Sequence, residues 1–408
     1  MRRIHLLTGA IGMLATGDLR AQIAAVSAAT PPTRGVGSQR GEAPGLAAEP
    51  AGRRALTPIA WEWFRGKILL QVTINGRRVM AFLDNAANYS VMDRRLASEL
   101  GLKEGAAGKI GAAVGAIDIR TLPPVSVEFT DGTRTDIRPI AADLAAASVL
   151  LGRPIEFVIG GDFFRKGAIG IDFPARKLLL MGTGVRPNPP YESIPLQQVG
   201  LDMALSLKAG AESVTVVLDL GSNGELELDE DSWKRAGADV TLLSEGRKAG
   251  AQGQIVAQKK AHLPAVTLGS ATLSPVDVRI GPLPPHLVGK VDGMIGANLL
   301  SRYRIVLDVP ARRLWLWRRS EAPAYPADRT GLGLTPAVRG FRVAYVATNS
   351  PAERAGWKAG DTVCAANDMQ LDPASEAALD WVSRGAGETV RLRTCDGKSR
   401  SLTLENYY

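Results

Sequence analysis

Val158-Ile-Gly-Gly-Asp-Phe-Phe-Arg-Lys-Gly-Ala-Ile-Gly-Ile-Asp172-Phe-Pro174-Ala-Arg-Lys-Leu-Leu-Leu180 recurs as Met294-Ile-Gly-Ala-Asn-Leu-Leu-Ser-Arg-Tyr-Arg-Ile-Val-Leu-Asp308-Val-Pro310-Ala-Arg-Arg-Leu-Trp-Leu316. Asp172 falls on Asp308 and Pro174 on Pro310, both 136 positions on. Upstream, Val79-Met-Ala-Phe-Leu-Asp84-Asn-Ala-Ala-Asn88 matches Val214-Thr-Val-Val-Leu-Asp219-Leu-Gly-Ser-Asn223 at an offset of 135. Two blocks in one order at nearly one spacing mark two copies of a single unit. A hairpin signal precedes each: Leu69 to Ile74 runs into Asn75-Gly76, and Ala204 to Ala209 runs into Gly210. Asn-Gly tolerates the positive φ angles of a two-residue turn, so strand, turn, strand is expected there. The copies span about 60–185 and 190–318, mostly short strands, with a short helix near Asp93 to Leu100.

Each copy carries an Asp directly after an apolar strand, at the mouth of a tight loop: Leu83-Asp84 and Leu218-Asp219. Copies packed about a pseudo-twofold axis would bring these two carboxylates to one place. Two anions that close titrate as a coupled pair and share a proton. One can then act as general base on a water while the other donates a hydrogen bond to a carbonyl under attack. The plainer reading is that each Asp only accepts main-chain N–H bonds in its turn.

These residues resemble the pepsin- and retropepsin-like aspartic proteases, here as a tandem with both halves in one chain. The family pattern is two apolar residues, Asp, Thr or Ser, Gly, then Ala or Ser, with two apolar residues and a Gly further on. Asp84-Asn85-Ala86-Ala87 and Asp219-Leu220-Gly221-Ser222 occupy the first part, and Ile159-Gly160 and Ile295-Gly296 the second. The resemblance covers roughly 60–318 and implies a mainly β, bilobal aspartic-protease fold. It implies peptide or protein substrates, catalysis by Asp84 and Asp219, no cofactor or metal, and no need for a homodimer, since one chain supplies both carboxylates.

Departures from the pattern matter as well. The family's hydroxyl residue makes cross-lobe hydrogen bonds, and Asn85 and Leu220 replace it. Ala86 stands where glycine is usual, and its methyl group resists positive φ. The second copy keeps Gly221 and Ser222, whose hydroxyl is expected to bond the carboxylate and keep it ionised. Asp219 is therefore the better-supported half and the candidate base. A lid hairpin is expected in each lobe, at Gly111, Val114 and Gly115 in the first and at Gly250 and Gly253 in the second, where glycine allows hinge motion. Ordinary surface loops share that composition.

From Gly331 the pattern changes. Gly331-Leu-Gly-Leu334, Phe341 to Val346, and Asn349-Ser-Pro351-Ala-Glu-Arg-Ala-Gly356-Trp-Lys-Ala-Gly360-Asp361 resemble a PDZ domain over 331–408. The resemblance implies that a peptide joins an open sheet edge while the loop Leu332, Gly333 and Leu334 holds its terminal carboxylate. The alternative is a PDZ fold that only packs against the lobes.

Composition narrows the remaining options. A content of 45% hydrophobic and 22% charged residues in 408 describes a globular chain able to bury cores. The net charge of +8 is spread without a dense basic tract, which argues against nucleic acid. Only His262 and His286 follow the first 24 residues, and neither a Gly-x-Ser-x-Gly elbow nor a His-Glu-x-x-His motif occurs. Ser-His-Asp and zinc hydrolases are thereby disfavoured. Arg2 and Arg3 ahead of the apolar run Ile4 to Ala15 suggest an export signal over 1–24, to the bacterial periplasm or outside the cell, with a disordered N-terminus as the alternative. That run is short for a stable membrane span. Residues 25–57 read as a linker, 58–187 and 188–318 as the two lobes, 319–330 as a second linker and 331–408 as the PDZ-like domain. Cys364 and Cys395 either pair or remain reduced core residues. Two functions stay open: an exported aspartic endopeptidase whose PDZ-like domain selects substrates, or a weakened protease-like module that binds peptides without cutting them.

Overall fold

The computed structural model describes residues 57–112, 114–188, 190–236, 244–249, 255–320 and 328–408. The expected export signal, most of the first linker and residues 321–327 of the second lie outside these, as do Gly250 and Gly253. The structure is mainly β. No helix among the described residues is long and apolar enough to cross a membrane.

The first repeat contributes β1 (Ile59–Ala60), β2 (Glu62–Phe64), β3 (Lys67–Ile74), β4 (Arg77–Leu83), β5 (Val91–Asp93), β6 (Ala107–Gly111), β7 (Ala116–Thr121), β8 (Val125–Phe129), β9 (Arg134–Ile137), β10 (Ile140–Ala142), β11 (Phe157–Ile159), β12 (Ala168–Asp172) and β13 (Lys177–Met181). The second contributes β14 (Glu192–Pro195), β15 (Gln197–Val199), β16 (Asp202–Ala209), β17 (Glu212–Asp219), β18 (Leu226–Leu228), β19 (Ser244–Ala249), β20 (Ile255–Leu263), β21 (Val266–Leu268), β22 (Ala271–Leu273), β23 (Val276–Ile280), β24 (Gly293–Gly296), β25 (Tyr303–Asp308) and β26 (Arg313–Arg318).

One ten-stranded sheet runs β6-β7-β10-β5-β11-β4-β3-β8-β9 with β2 on β3, and the other β19-β20-β23-β18-β24-β17-β16-β21-β22 with β15 on β16. The two orders coincide strand for strand. The sequence offset carries over to register, since Leu69 pairs with Phe82 and Ala204 with Val217. A six-stranded sheet, β1-β13-β12-β25-β26-β14, joins the repeats through the antiparallel pair β12–β25. The repeated segments quoted first supply its four inner strands. One continuous apolar core, from Ile59 to Leu316, spans both repeats.

Local chemistry explains the elements. Asn75 and Gly76 have φ of 48° and 85°, as the β3–β4 turn demands. The helix Arg94–Glu99 starts at Asp93, whose carboxylate accepts from Arg95 N. In both repeats the Ile-Gly pair lets two backbones touch. A Cβ at Gly160 would collide with the main chain of Tyr89 and Ser90, and one at Gly296 with the main chain of Gly224.

Residues 331–408 build a separate core around Phe341, Trp357, Trp381 and Leu392. It lies between a three-stranded sheet, β27 (Leu332–Pro336), β28 (Phe341–Val346) and β29 (Thr362–Val363), and a four-stranded one over 365–403. These residues dock on both repeats. Arg65 donates to Leu151 O at 2.8 Å and Pro373 O at 2.7 Å, and its guanidinium lies 5.0 Å from the Phe341 ring centroid. On the second repeat Lys260 pairs with Asp328 at 3.1 Å, and the Tyr407 hydroxyl donates to Asp328. Tyr408 stacks on His262 with ring centroids 4.6 Å apart and donates to Asp277 at 3.1 Å.

Cys364 and Cys395 form a disulfide, which resolves the alternative left open by the sequence. The bond spans 31 residues of sequence, so in the chain-entropy picture it limits the unfolded ensemble by about 4 kcal/mol. Replacing both cysteines with Ala is expected to lower the unfolding free energy of residues 331–408 by that order. Urea unfolding followed by tryptophan fluorescence reads the change, with Trp357 and Trp381 as reporters.

Candidate active site

β4 and β17 each sit between an antiparallel hairpin partner and a parallel neighbour, β11 or β24. Strands held on both sides cannot shift, so the loops that leave their C-terminal ends start from fixed points. Asp84 N donates to Ile159 O at 3.0 Å. The next turn is fixed by equivalent bonds in the two repeats: Gly161 N to Ala87 O at 2.6 Å and Ala297 N to Ser222 O at 2.9 Å.

The two loops then meet. The buried Asn85 side chain donates through Nδ2 to Leu218 O at 2.8 Å and accepts at Oδ1 from Leu220 N at 2.7 Å. One amide thus holds the main chain on both sides of Asp219. From sequence alone Asn85 counts as a lost cross-lobe bond; in the structure it makes two. A hydroxyl group has a single proton, whereas an amide offers donor and acceptor at opposite corners and can hold two successive peptide groups. Leu220 makes no such bond, as expected, and is fully buried in the common core.

Other parts of the loop reading change too. Ala86 does not have positive φ, so its methyl group meets no strain. Asp84 Oδ1 accepts from Ala86 N and Ala87 N, both at 3.0 Å. Ser222 reaches Asp219 Oδ1 through its main-chain N–H at 2.8 Å, while its hydroxyl accepts from Gly224 N at 3.2 Å. The hydroxyl role expected from the sequence is filled by the backbone.

Gly221 carries the closest approach of the two loops. A Cβ there would fall inside the Asp84 carboxyl group, so the carboxylate of the first repeat lies against the loop of the second. Lys67, the first residue of β3, donates from Nζ to Gly221 O, and its ammonium stands 5.3 Å from the Phe82 ring centroid. Burial pushes the Asp84 carboxyl above its ordinary range. Lys67 and the N–H groups of Ala87 and Ala86 pull the other way, and Asp202 adds to the rise. Lys67 and Asp202 were missed by the sequence reading. The signal was present: the offset of 135 that aligns Asp84 with Asp219 also aligns Lys67 with Asp202.

Gly111, Val114 and Gly115 lie at the tip of the β6–β7 hairpin, where Ala112 N donates to Gly115 O and Gly115 has φ of 71°. The equivalent hairpin is β19–β20, and Gly250 and Gly253 lie outside the described residues. Leu332, Gly333 and Leu334 form a strand, not the expected loop. They open β27, which pairs with β28 through a register shift between Gly333 and Leu334. Gly333 lets that strand cross the Tyr345 ring, where a Cβ would collide. The helix Ala145–Leu151 packs against β27.

A family model for aspartyl proteases matches residues 70–163, which include β4, Asp84, Asn85 and the Ile159-Gly160 pair. No curated protein matches the chain.

Asn85→Ala would strand Leu218 O and Leu220 N in a buried setting, at about 1–3 kcal/mol for each group. The expected result is a fall of that order in chemical unfolding experiments, with Asn85→Ser recovering only part of it. Asp84 gives a pH signature. Its raised folded-state proton affinity contributes stability below the unfolded carboxylate range, and that contribution is lost as pH rises through the folded value. Asp84→Asn removes the dependence, so its melting temperature should gain on the parent protein as pH rises from 4 to 7.

Proposed function

We propose that this chain is an aspartic endopeptidase with a bilobal fold, in which Asp84 and Asp219 form the catalytic dyad. Residues 58–187 and 188–318 are its lobes, and 331–408 a PDZ-like domain. The observation that carries the reading is the junction at Asn85 and Gly221. Two equivalent strands deliver a carboxylate each to loops locked together by one amide, and the Asp84 carboxylate rests on the opposing loop. The aspartyl-protease match over 70–163 supports the chemistry.

At that junction the dyad holds one proton between two carboxylates. The ionised member takes a proton from a bound water. The protonated member donates to the oxygen of the scissile carbonyl as the water attacks, and the proton count closes when the leaving amine is protonated. The hairpin carrying Gly111, Val114 and Gly115 acts as a lid over bound peptide, and Gly250 and Gly253 would serve in its counterpart. The PDZ-like domain selects peptides or partners through the segment Leu332 to Leu334, which here is an end strand of its sheet. The same strand meets the helix Ala145–Leu151, so peptide capture and docking to the first lobe share one element. The disulfide supports export to an oxidising compartment, where such bonds persist.

The second reading is a protein that holds peptides without cutting them, and Leu220 in place of a hydroxyl residue favours it. A peptide library incubated with the chain between about pH 3 and 7 separates the two. Endopeptidase activity predicts cleavage that falls by about 10²-fold or more in both Asp84→Asn and Asp219→Asn. Survival in Asp84→Asn alone would indicate a site that uses one carboxylate, and survival in both would end the proposal.

A further inference from the structure

β3 and β16 are equivalent strands of eight residues, and their first residues are Lys67 and Asp202. Continuing the β3–β4 register two steps beyond Leu69–Phe82 sets Lys67 opposite Asp84. The same two steps beyond Ala204–Val217 set Asp202 opposite Asp219. Directly opposed residues of an antiparallel pair project from the same face of the sheet. The ladders themselves end at Leu69–Phe82 and Ala204–Val217, so it is this continued register that gives each aspartate an ionisable residue across the hairpin, and the two residues carry opposite charges.

Neither neighbour is an ordinary surface charge. The Lys67 ammonium is bound to Gly221 O, the carbonyl of the residue that abuts the Asp84 carboxyl group. Asp202 is only 3% exposed. His286 Nε2 lies 3.2 Å from its Oδ2, yet neither carboxylate oxygen is in a hydrogen bond. A buried carboxylate is normally hydrogen-bonded, so Asp202, whose ion pair is with His286, stands apart from an ordinary buried carboxylate.

We propose that Lys67 and Asp202 are positioning residues that give the two carboxylates of the site unequal surroundings, a cation across the hairpin from Asp84 and an anion across the hairpin from Asp219, and that this pairing sets the pH window in which the two share one proton. The inference rests on the reading of Asp84 and Asp219 as a dyad. The charged groups acting on Asp84 are Lys67 from β3 and Asp202 from β16, with His286 beside Asp202; Asp219, at the end of β17, is its partner in the proposed dyad. The signs follow from Coulomb's law. A cation near the dyad favours its ionised forms and moves the window to lower pH; an anion does the reverse.

The test uses the full chain with Lys67→Met, Lys67→Arg and Asp202→Asn, all close to the parent residues in size. Two readings are taken: the pH–rate profile of peptide cleavage, and the carboxyl ¹³C NMR titration of aspartate-labelled protein, assigned with Asp84→Asn and Asp219→Asn. Lys67→Met should move both to higher pH by about 1 unit and Asp202→Asn to lower pH by a similar amount, with Lys67→Arg near the parent. Variants that lose rate with no displacement, or that move in the same direction, overturn the proposal. Opposite displacements of the carboxyl titration in a chain that cuts no peptide uphold the charge pairing and defeat the endopeptidase reading. Cleavage with an unmoved titration does the opposite.

Discussion

The arrangement depends on one side-chain amide. Asn85 leaves its own loop and binds the peptide groups on both sides of Asp219, more than 130 residues away in sequence. Buried main-chain N–H and C=O groups must find partners, and at this junction Leu218 O and Leu220 N find them on the opposite repeat. The loops are therefore fixed against each other by the same requirement that stabilises them. The groups of chemical interest gather at this contact: the Asp84 carboxylate lies against Gly221, the Lys67 ammonium on the Gly221 carbonyl, and the Asp202 charge acts on Asp84.

Rigid strands bring the two loops to that contact. β4 and β17 each occupy the interior of a sheet, and the six-stranded sheet joins the repeats through β12 and β25. A continuous core beneath all three sheets leaves few ways for one repeat to turn relative to the other. The symmetry is one of backbone and not of charge. Among the corresponding places where the repeats differ are Asn85 against Leu220, Ala86 against Gly221, Ala87 against Ser222, and Lys67 against Asp202. Each of these falls at or beside the junction, while the strands around it keep their register.

The fold was legible where its signals were local or repeated. The Asn75-Gly76 turn, the helix capped by Asp93 and the two recurring blocks declare themselves in the sequence, because turn chemistry and hydrophobic spacing act over a few residues and duplication states them twice. What escaped notice depends on atoms remote in sequence. Asn85 reads as a lost hydroxyl because its partners are main-chain groups, which every residue possesses and no sequence marks. Ser222 suggests a side-chain bond to the carboxylate, whereas its N–H makes that bond. Leu332 to Leu334 matched a loop motif but entered a strand, since Gly333 lets the backbone cross Tyr345. Lys67 and Asp202 are legible in the sequence, because the offset of 135 aligns them as it aligns Asp84 with Asp219.

The aromatic clasp at Tyr407 and Tyr408 has a mechanical side. Lys260 and His262, which it grips, lie on β20, one arm of the second repeat's long hairpin. Their hold falls at the end of that arm nearest the body of the protein. A beam clamped at its root bends only beyond the clamp, and the shorter the free length, the stiffer the beam. Residues 331–408 also hold the other arm further out, where the Arg247 guanidinium lies 5.4 Å from the Tyr345 ring centroid, so the clamp reaches past the root and shortens the free length on both arms.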